Sequence, residues 1–209
     1  MCAMESQGTI LKIETGAGEA KNITGITLGA ITKIQSAAHG LPIGDVVIFD
    51  GIGGAAEFNG QKTMITAVET DSFYVGINSQ GYSAYTSGGT ATSVAYTEIG
   101  EVIDWEGPGG SASVIDKTHL ASTAKEKMIG LRDEGQFTFS LNAAFNDLGQ
   151  QAIRASRNAR SLKGYKITYS DSTVQSFDGY ALEFSTSGGV DDKVNASATI
   201  EITGEVATT

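Results

Sequence analysis

A mainly β protein, a sandwich or partial barrel with one α-helix and an inserted small β-barrel, is the fold class that this sequence predicts. Three observations predict it. Glycine supplies 27 of 209 residues and proline only 2, against an average glycine usage of ~7%, so turns are abundant without collagen-like or proline-rich character. Apolar and polar residues alternate at period two over several segments. A single stretch has the three-to-four spacing of an amphipathic helix.

Taken in chain order, residues 8–14 make a first strand. Short β runs follow at 31–36, 45–49, 61–68 and 72–77, separated by turn signals at 51–54, Asn59-Gly60 and Gly88-Gly89. With Asp45, Asp50, Glu57, Glu69 and Asp71 against Lys33 and Lys62, this block is acidic. Residues 26–94 read as an accessory β-module inserted into a core made of 1–25 and 95–209, of a size that folds alone only marginally. Residues 99–105 give a further strand in which Glu101 breaks the alternation. Residues 106–136 open with Gly107-Pro108-Gly109-Gly110 and are rich in Ser, Thr and paired charges. A connection longer than ~15 residues in a compact β-domain is normally functional, so this segment reads as a long interaction loop.

Phe137, Phe139 and Leu141 alternate with Thr138, Ser140 and Asn142 in the next strand. The helix is expected to start near Asn146, with Asp147 favourably placed for the helix dipole, and to end near Leu162 before Gly164. Leu148, Ala152, Ala155, Ala159 and Leu162 form its expected core stripe, and Arg154, Arg157 and Arg160 line another face. Tyr165, Ile167 and Tyr169, a turn at 170–172, then Tyr180, Leu182 and Phe184 read as a hairpin. In the last strand Val194, Ala196, Ala198, Ile200 and Ile202 alternate with Asn195, Ser197, Thr199, Glu201 and Thr203.

The charge balance excludes several function classes. Fourteen Lys and Arg against 24 Asp and Glu leave a net charge of −10, which disfavours a protein that grips nucleic-acid phosphates. The one cysteine, Cys2, allows no disulfide within a chain and no cysteine-based zinc site, and it reads as an inert terminal thiol. No apolar run approaches the ~20 residues of a membrane span, and the N-terminus lacks a signal-peptide pattern, so synthesis and folding in the cytoplasm are expected.

Catalytic constellations are missing as well. Gly51-Ile52-Gly53-Gly54 follows a strand, but another strand rather than a helix comes next, so it is not a phosphate loop. His39 and His119 are the only histidines, and Asp116 three residues before His119 falls short of the three or four ligands of a metal site. Ser111 and Ser113 lack an organised base, and the acceptor patterns at Asn22 and Asn195 lack a secretory context. The expectation is a protein that is not an enzyme, with no catalytic, cofactor-binding or metal residues and no cofactor.

The run from Asp116 to Gly135, with its Asp116, Thr118, Leu120 opening and its Gly130-Leu131-Arg132-Asp133 turn, then a strand, a single helix and paired C-terminal strands, resembles the tail tube (major tail) proteins of long, non-contractile-tailed bacteriophages. Within the insertion, Ala38-His39-Gly40-Leu41, Gly44-Asp45-Val46-Val47, Phe58-Asn59-Gly60 and Gly81-Tyr82-Ser83-Ala84-Tyr85 resemble a small β-barrel found in phage structural proteins and related to a domain of ubiquitin-activating enzymes.

The first resemblance implies a structural virion protein of a siphovirus. Its subunits would form homo-hexameric rings stacked into a tail tube through which DNA passes, without specific binding, during ejection into the host. It also implies partners among the tape measure, tail tip and terminator proteins, a location in the virion tail with assembly in the bacterial host cytoplasm, and no membrane insertion. The loop 106–136 would then reach the neighbouring ring through Asp116, Thr118, Leu120, Arg132 and Asp133. Arg154, Arg157 and Arg160, with Arg132, are candidates for pairing across subunits with Asp133, Glu134, Asp191 and Asp192; the alternative for the arginine row is a solvated face. Ser140, Asn142, Asn195, Thr199 and Glu201 lie on a cation-free strand face that is either the tube lumen or ordinary solvent surface. A second reading, from the class of binding modules, has Tyr82 and Tyr85 of the insertion recognise a surface glycan, or has the chain decorate the virion.

Overall fold

The computed structural model describes residues 5–209, so Cys2 lies outside the described residues. The chain folds into β1 (Ile10–Asn22), β2 (Gly25–Thr27), β3 (Thr32–Gln35), β4 (Val46–Asp50), β5 (Lys62–Glu69), β6 (Ser72–Val75), β7 (Thr90–Glu98), β8 (Val102–Glu106), β9 (Ser111–Asp116), β10 (Lys127–Asp133) and β11 (Gln136–Asn142), then α1 (Leu148–Ala159), β12 (Lys163–Thr168), β13 (Val174–Ser187) and β14 (Asn195–Thr208). Twelve strands share one continuous sheet in the order β2-β3-β6-β5-β4-β7-β1-β12-β13-β14-β11-β8, and β9 and β10 form a separate two-stranded hairpin. The mainly β class with one helix is the one the sequence predicts.

Three apolar clusters organise this sheet. The largest joins Leu11, Ile13, Phe137, Phe139, Leu141, Ile153, Tyr165, Ile167, Ile200 and their neighbours across β1, β11, β12, β14 and the helix. A second fills residues 23–91 with Ile34, Phe49, Phe58, Ile65, Phe73 and Val75, all fully buried. Val46, Met64, Val94 and Val174 form a third, smaller cluster that bridges the two.

Two long strands carry the chain across this bridge. β1 pairs with β12 over Ile10–Ile13 and with β7 from Lys12 to Asn22, and the first half of β7 pairs in turn with β4. Lys62 Nζ donates to Glu14 Oε2 at 2.8 Å and to Asp178 Oδ1 at 2.6 Å, and Lys166 Nζ pairs with Asp45 Oδ1 at 3.1 Å. Burial works against the Lys62 charge, yet the bonds from Asp178 and Glu14 outweigh it and raise its pKa. Gly164 makes this joint possible, because a Cβ there would lie 2.8 Å from Lys62 Nζ and 2.9 Å from Glu14 Oε2.

Four local expectations need correction. The single strand at 99–105 is cut by a turn at Gly100-Glu101, where Glu101 takes a φ of 65°, so the residue that breaks the alternation reverses the chain. The helix cap is Asp147, whose side chain accepts from Gln150 N, rather than Asn146, and the helix ends at Ala159 with Arg160 as a left-handed cap. Its buried face is Gly149, Gln150, Ile153 and Ser156, while Leu148 is 66% exposed and Leu162 is 44% exposed. The shift has a cause in the backbone. Gly149 sits so close to β7 that a Cβ would fall 2.3 Å from the Glu98 carbonyl, and Gln150 caps the carbonyls of Gly100 and Asn142.

The third correction concerns β13, where register shifts at Ser176/Asp178 and Ala181/Glu183 break the period. Phe177 and Phe184 turn inward while Tyr180 and Leu182 turn outward, as bulges re-aim side chains. Finally, the presumed loop at 106–136 is largely the β9–β10 hairpin.

Candidate assembly surfaces

The hairpin pairs Asp116 with Lys127, Ile115 with Met128 and Val114 with Ile129, and a bulge around Gly130 separates this ladder from the Ala112–Arg132 and Ser111–Asp133 pairs. Side chains alternate across a ribbon, so Val114 and Ile129 stand on one face and Ile115 and Met128 on the other. Among the described residues no second layer covers either face. Val114, Ile129 and Leu131 are exposed, and Leu120 at the tip is fully so.

The tip is nonetheless built, not frayed. Asp116 Oδ1 accepts from Thr118 N at 2.9 Å, and Thr118 Oγ1 accepts from Glu126 N at 3.0 Å, closing the two strands. Hydrogen bonds from Thr118 hold the Asp116 carboxyl below the usual carboxylate range. His119 Nδ1 accepts from Ala121 N and Ser122 Oγ accepts from His119 N, so the ring shapes the turn. Asp116 and His119 therefore act on separate backbone groups. At the hairpin base Arg132 pairs with Glu134 at 3.0 Å and Asp133 Oδ1 accepts from Gly135 N at 2.9 Å. Within the chain Arg132 already has an acidic partner.

Beside the hairpin, the strand order β13-β14-β11-β8 presents a polar face. Register places Thr138 opposite Thr199, Ser140 opposite Ser197, Asn142 opposite Asn195 and Gln136 opposite Glu201. The flanking strands extend it with residues that sequence reading missed: Tyr180 beside Glu201 and Glu183 beside Thr199 on β13, and Asp104 beside Ser140 and Glu106 beside Thr138 on β8. These cross-strand partners share one face. The face thus carries Asp104, Glu106, Glu183 and Glu201, and no Lys or Arg among these register partners. The signal for Glu183 was hidden by the β13 bulges, and that for Asp104 by the turn at Glu101.

The helix arginines lie elsewhere. Arg154 Nη2 donates to the Phe145 carbonyl and its guanidinium sits 5.2 Å from the Phe145 ring and 5.5 Å from the Phe184 ring, while Arg157 Nη1 donates to the Phe184 carbonyl at 3.1 Å. Arg157 and Arg160 are exposed. Among the described residues these three arginines make no ion pair with an acid of their own chain. Asp191 and Asp192 sit exposed in the β13–β14 connection.

In the inserted region, Tyr82 packs edge-on against Phe58 at 4.9 Å and its hydroxyl bonds Gln61 Nε2 at 2.9 Å, and the Tyr85 hydroxyl donates to the Ile23 carbonyl at 3.1 Å. Both tyrosines are half-buried and pack against the apolar cluster of this region. His39 is buried, with one ring nitrogen on the Glu69 carbonyl and the other accepting from Leu41 N.

Residues 80–209, more than half of the chain, match the family model of the lambda phage tail tube protein, TTP. The chain belongs to the lambda phage tail tube protein family. Residues 27–95 match the FCCH domain of the ubiquitin-activating enzyme E1, so both resemblances read in the sequence correspond to family matches. The two matched stretches overlap over residues 80–95, which run into the first part of β7, the strand that pairs with β4 on one side and β1 on the other. No relative among curated proteins matches the chain. Membership makes this a structural phage tail component, and its place is the virion. Among the described residues no helix is long and apolar enough to cross a membrane.

Proposed function

We propose that this tail tube family member forms hexameric rings that stack into the tube through which the genome is ejected into the host. The observation that carries this reading is the cation-free sheet face. Asp104, Glu106, Glu183 and Glu201 sit among Ser140, Asn142, Asn195 and Thr199, and a wall of carboxylates and small polar groups repels phosphate and gives DNA nothing to grip. With this face inward, DNA slides without specific binding. The mechanism is passive, and no residue has a catalytic role in it.

Ring closure pairs the free edge of β8 with a neighbouring subunit, which removes an exposed sheet edge. Arg154, Arg157 and Arg160 are assigned to charge pairing across that boundary, with Asp191 and Asp192 as acceptors. The hairpin, through Asp116, Thr118, Leu120, Arg132 and Asp133, is assigned to contacts between rings. Residues 26–94 act as an accessory module on a core of 1–25 and 95–209, facing away from the lumen. Tape measure, tail tip and terminator proteins complete the tail, which assembles in the host cytoplasm.

Negative-stain electron microscopy of the purified chain at high concentration, and of assembled particles, tests this reading. Six-fold rings or tubes with external knobs are expected. Featureless monomers in both settings would overturn it.

A further inference from the structure

The hairpin and the β7–β8 turn lie at opposite ends of the same strands. β11 runs from Gln136, where the hairpin returns to the sheet, to Asn142, and β8 runs back from Val102 to Glu106. The Asn142 end holds a polar cavity of about 250 Å³ lined by Thr9, Ile10, Glu98, Glu101, Val102 and Asn142, among others. Two polar atoms of its lining residues, Thr9 Oγ1 and Asn142 Oδ1, are buried and have no hydrogen-bond partner among the described residues. Unmade hydrogen bonds of this kind are costly and call for an explanation. Asn142 has already spent its amide on Glu101 Oε2 at 2.9 Å, so the remaining groups are an amide carbonyl, a hydroxyl and the carboxylates of Glu98 and Glu101. This set lacks a donor that brings positive charge, and an ammonium with its three N–H groups supplies that.

The other end of the molecule offers such a group. Between residues 117 and 127 the hairpin tip carries Lys117, Lys125 and Lys127 against Glu126, a local excess of cations on a chain whose net charge is −10. All three lysines are exposed, and no ion pair among the described residues engages them. The ten or so residues from the hairpin base to its tip span on the order of 30 Å at strand rise.

We propose that the Thr9–Glu98–Glu101–Asn142 cavity is a socket for a lysine of the hairpin tip of a second copy of this chain. A basic tip at one end and an acidic socket at the other make a head-to-tail contact, which propagates as an open stack rather than closing on itself. The proposal rests on the tube reading above and adds to it the surface on which the hairpin lands.

Charge reversal tests it. E98K/E101K and, separately, K117E/K125E/K127E are expected to raise the protein concentration needed for tube formation at least about tenfold, a loss of ~1.4 kcal/mol per contact. Their circular dichroism and ring formation should match the parent chain. A chain with both sets of substitutions is expected to regain tubes. A second readout is chemical: with Cys2 replaced by serine, Lys125→Cys mixed with Glu101→Cys should give a disulfide-linked dimer on oxidation. Tubes from each reversal variant at the parent concentration, or no recovery in the combined variant, would overturn the socket while leaving the tube reading intact. Failure of the parent chain to form rings or tubes would overturn both.

Discussion

The FCCH-like module and the β9–β10 hairpin are both small β structures, yet they use apolar residues in opposite ways. In the module Phe49, Phe58, Ile65, Phe73 and Val75 are fully buried against one another. In the hairpin Val114, Leu120, Ile129 and Leu131 have no layer above them and stay in solvent. An isolated two-stranded ribbon is marginal in water, and contiguous exposed apolar surface marks an interaction site. The module's hydrophobic residues stabilise the subunit, whereas those of the hairpin stay exposed and, on the tube reading proposed above, are the ones an assembly would cover. The difference teaches that burial within the chain, not hydrophobicity, separates residues that fold the subunit from residues left for the proposed assembly.

The sharpest way to break this comparison is to truncate one ring in the module. Phe58→Ala removes a fully buried side chain in edge-on contact with Phe49 and Tyr82, and such losses cost about 3–5 kcal/mol. Chemical denaturation should show that loss. In the hairpin, Leu120→Ser with Ile129→Ser should leave the unfolding midpoint within about 0.5 kcal/mol of the parent, while tube formation seen by electron microscopy is abolished. A hairpin variant that unfolds early, or one that still makes tubes, would erase the distinction.

The joint between module and core gives a smaller effect. Lys62→Met leaves Glu14 and Asp178 without their shared cation, and because all three side chains are 20–31% exposed the loss should be about 1–2 kcal/mol rather than the 3–5 of a deeply buried pair. The sign with pH follows from the direction of the shift. The Lys62 pKa is raised in the folded chain, so its stabilisation is fully present below ~10.5 and fades as pH rises through the higher folded value. Parent stability should therefore fall on the alkaline side more steeply than that of the Lys62→Met variant, as thermal melts from pH 8 to 11 would reveal.

Much of the core was legible in the sequence because its alternation is uninterrupted: Phe137, Phe139 and Leu141, and Ala196, Ala198, Ile200 and Ile202, are buried as period two demands. Errors arose where backbone geometry overrides pattern. The helix face turned because Gly149 permits contact with the Glu98 carbonyl and Gln150 serves as a buried cap, neither of which a hydrophobic stripe reveals. The bulges in β13 moved Tyr180 outward and hid Glu183 from any alternation count. On the candidate surfaces, residues of β11 and β14 were legible because the two strands pair in register without a bulge. Asp104 and Glu106 were not, since they reach the same face only through a turn at a left-handed glutamate. The hairpin was legible as a distinct long segment from length and composition, but its strands were masked by apolar residues that face solvent on both sides.

The smallest expected effect belongs to Glu69, in the module. Its carboxylate accepts from Lys33 Nζ at 2.8 Å, Tyr74 Oη at 2.7 Å and Ser72 Oγ at 2.9 Å, and these bonds hold its pKa down at about 2. A folded pKa below the unfolded one makes the stabilisation complete above roughly pH 4.5 and progressively lost as pH falls towards about 2. The carboxylate is open to water, so screening by solvent and salt reduces the effect. Glu69→Gln should remove this component alone. Its melting curve should approach the parent's between pH 4.5 and 2, and the parent's advantage at pH 7 should shrink in high salt. If the gap between the two were unchanged over that range, the network would be ornamental, and the module's stability would rest on the Phe49, Phe58 and Phe73 core alone.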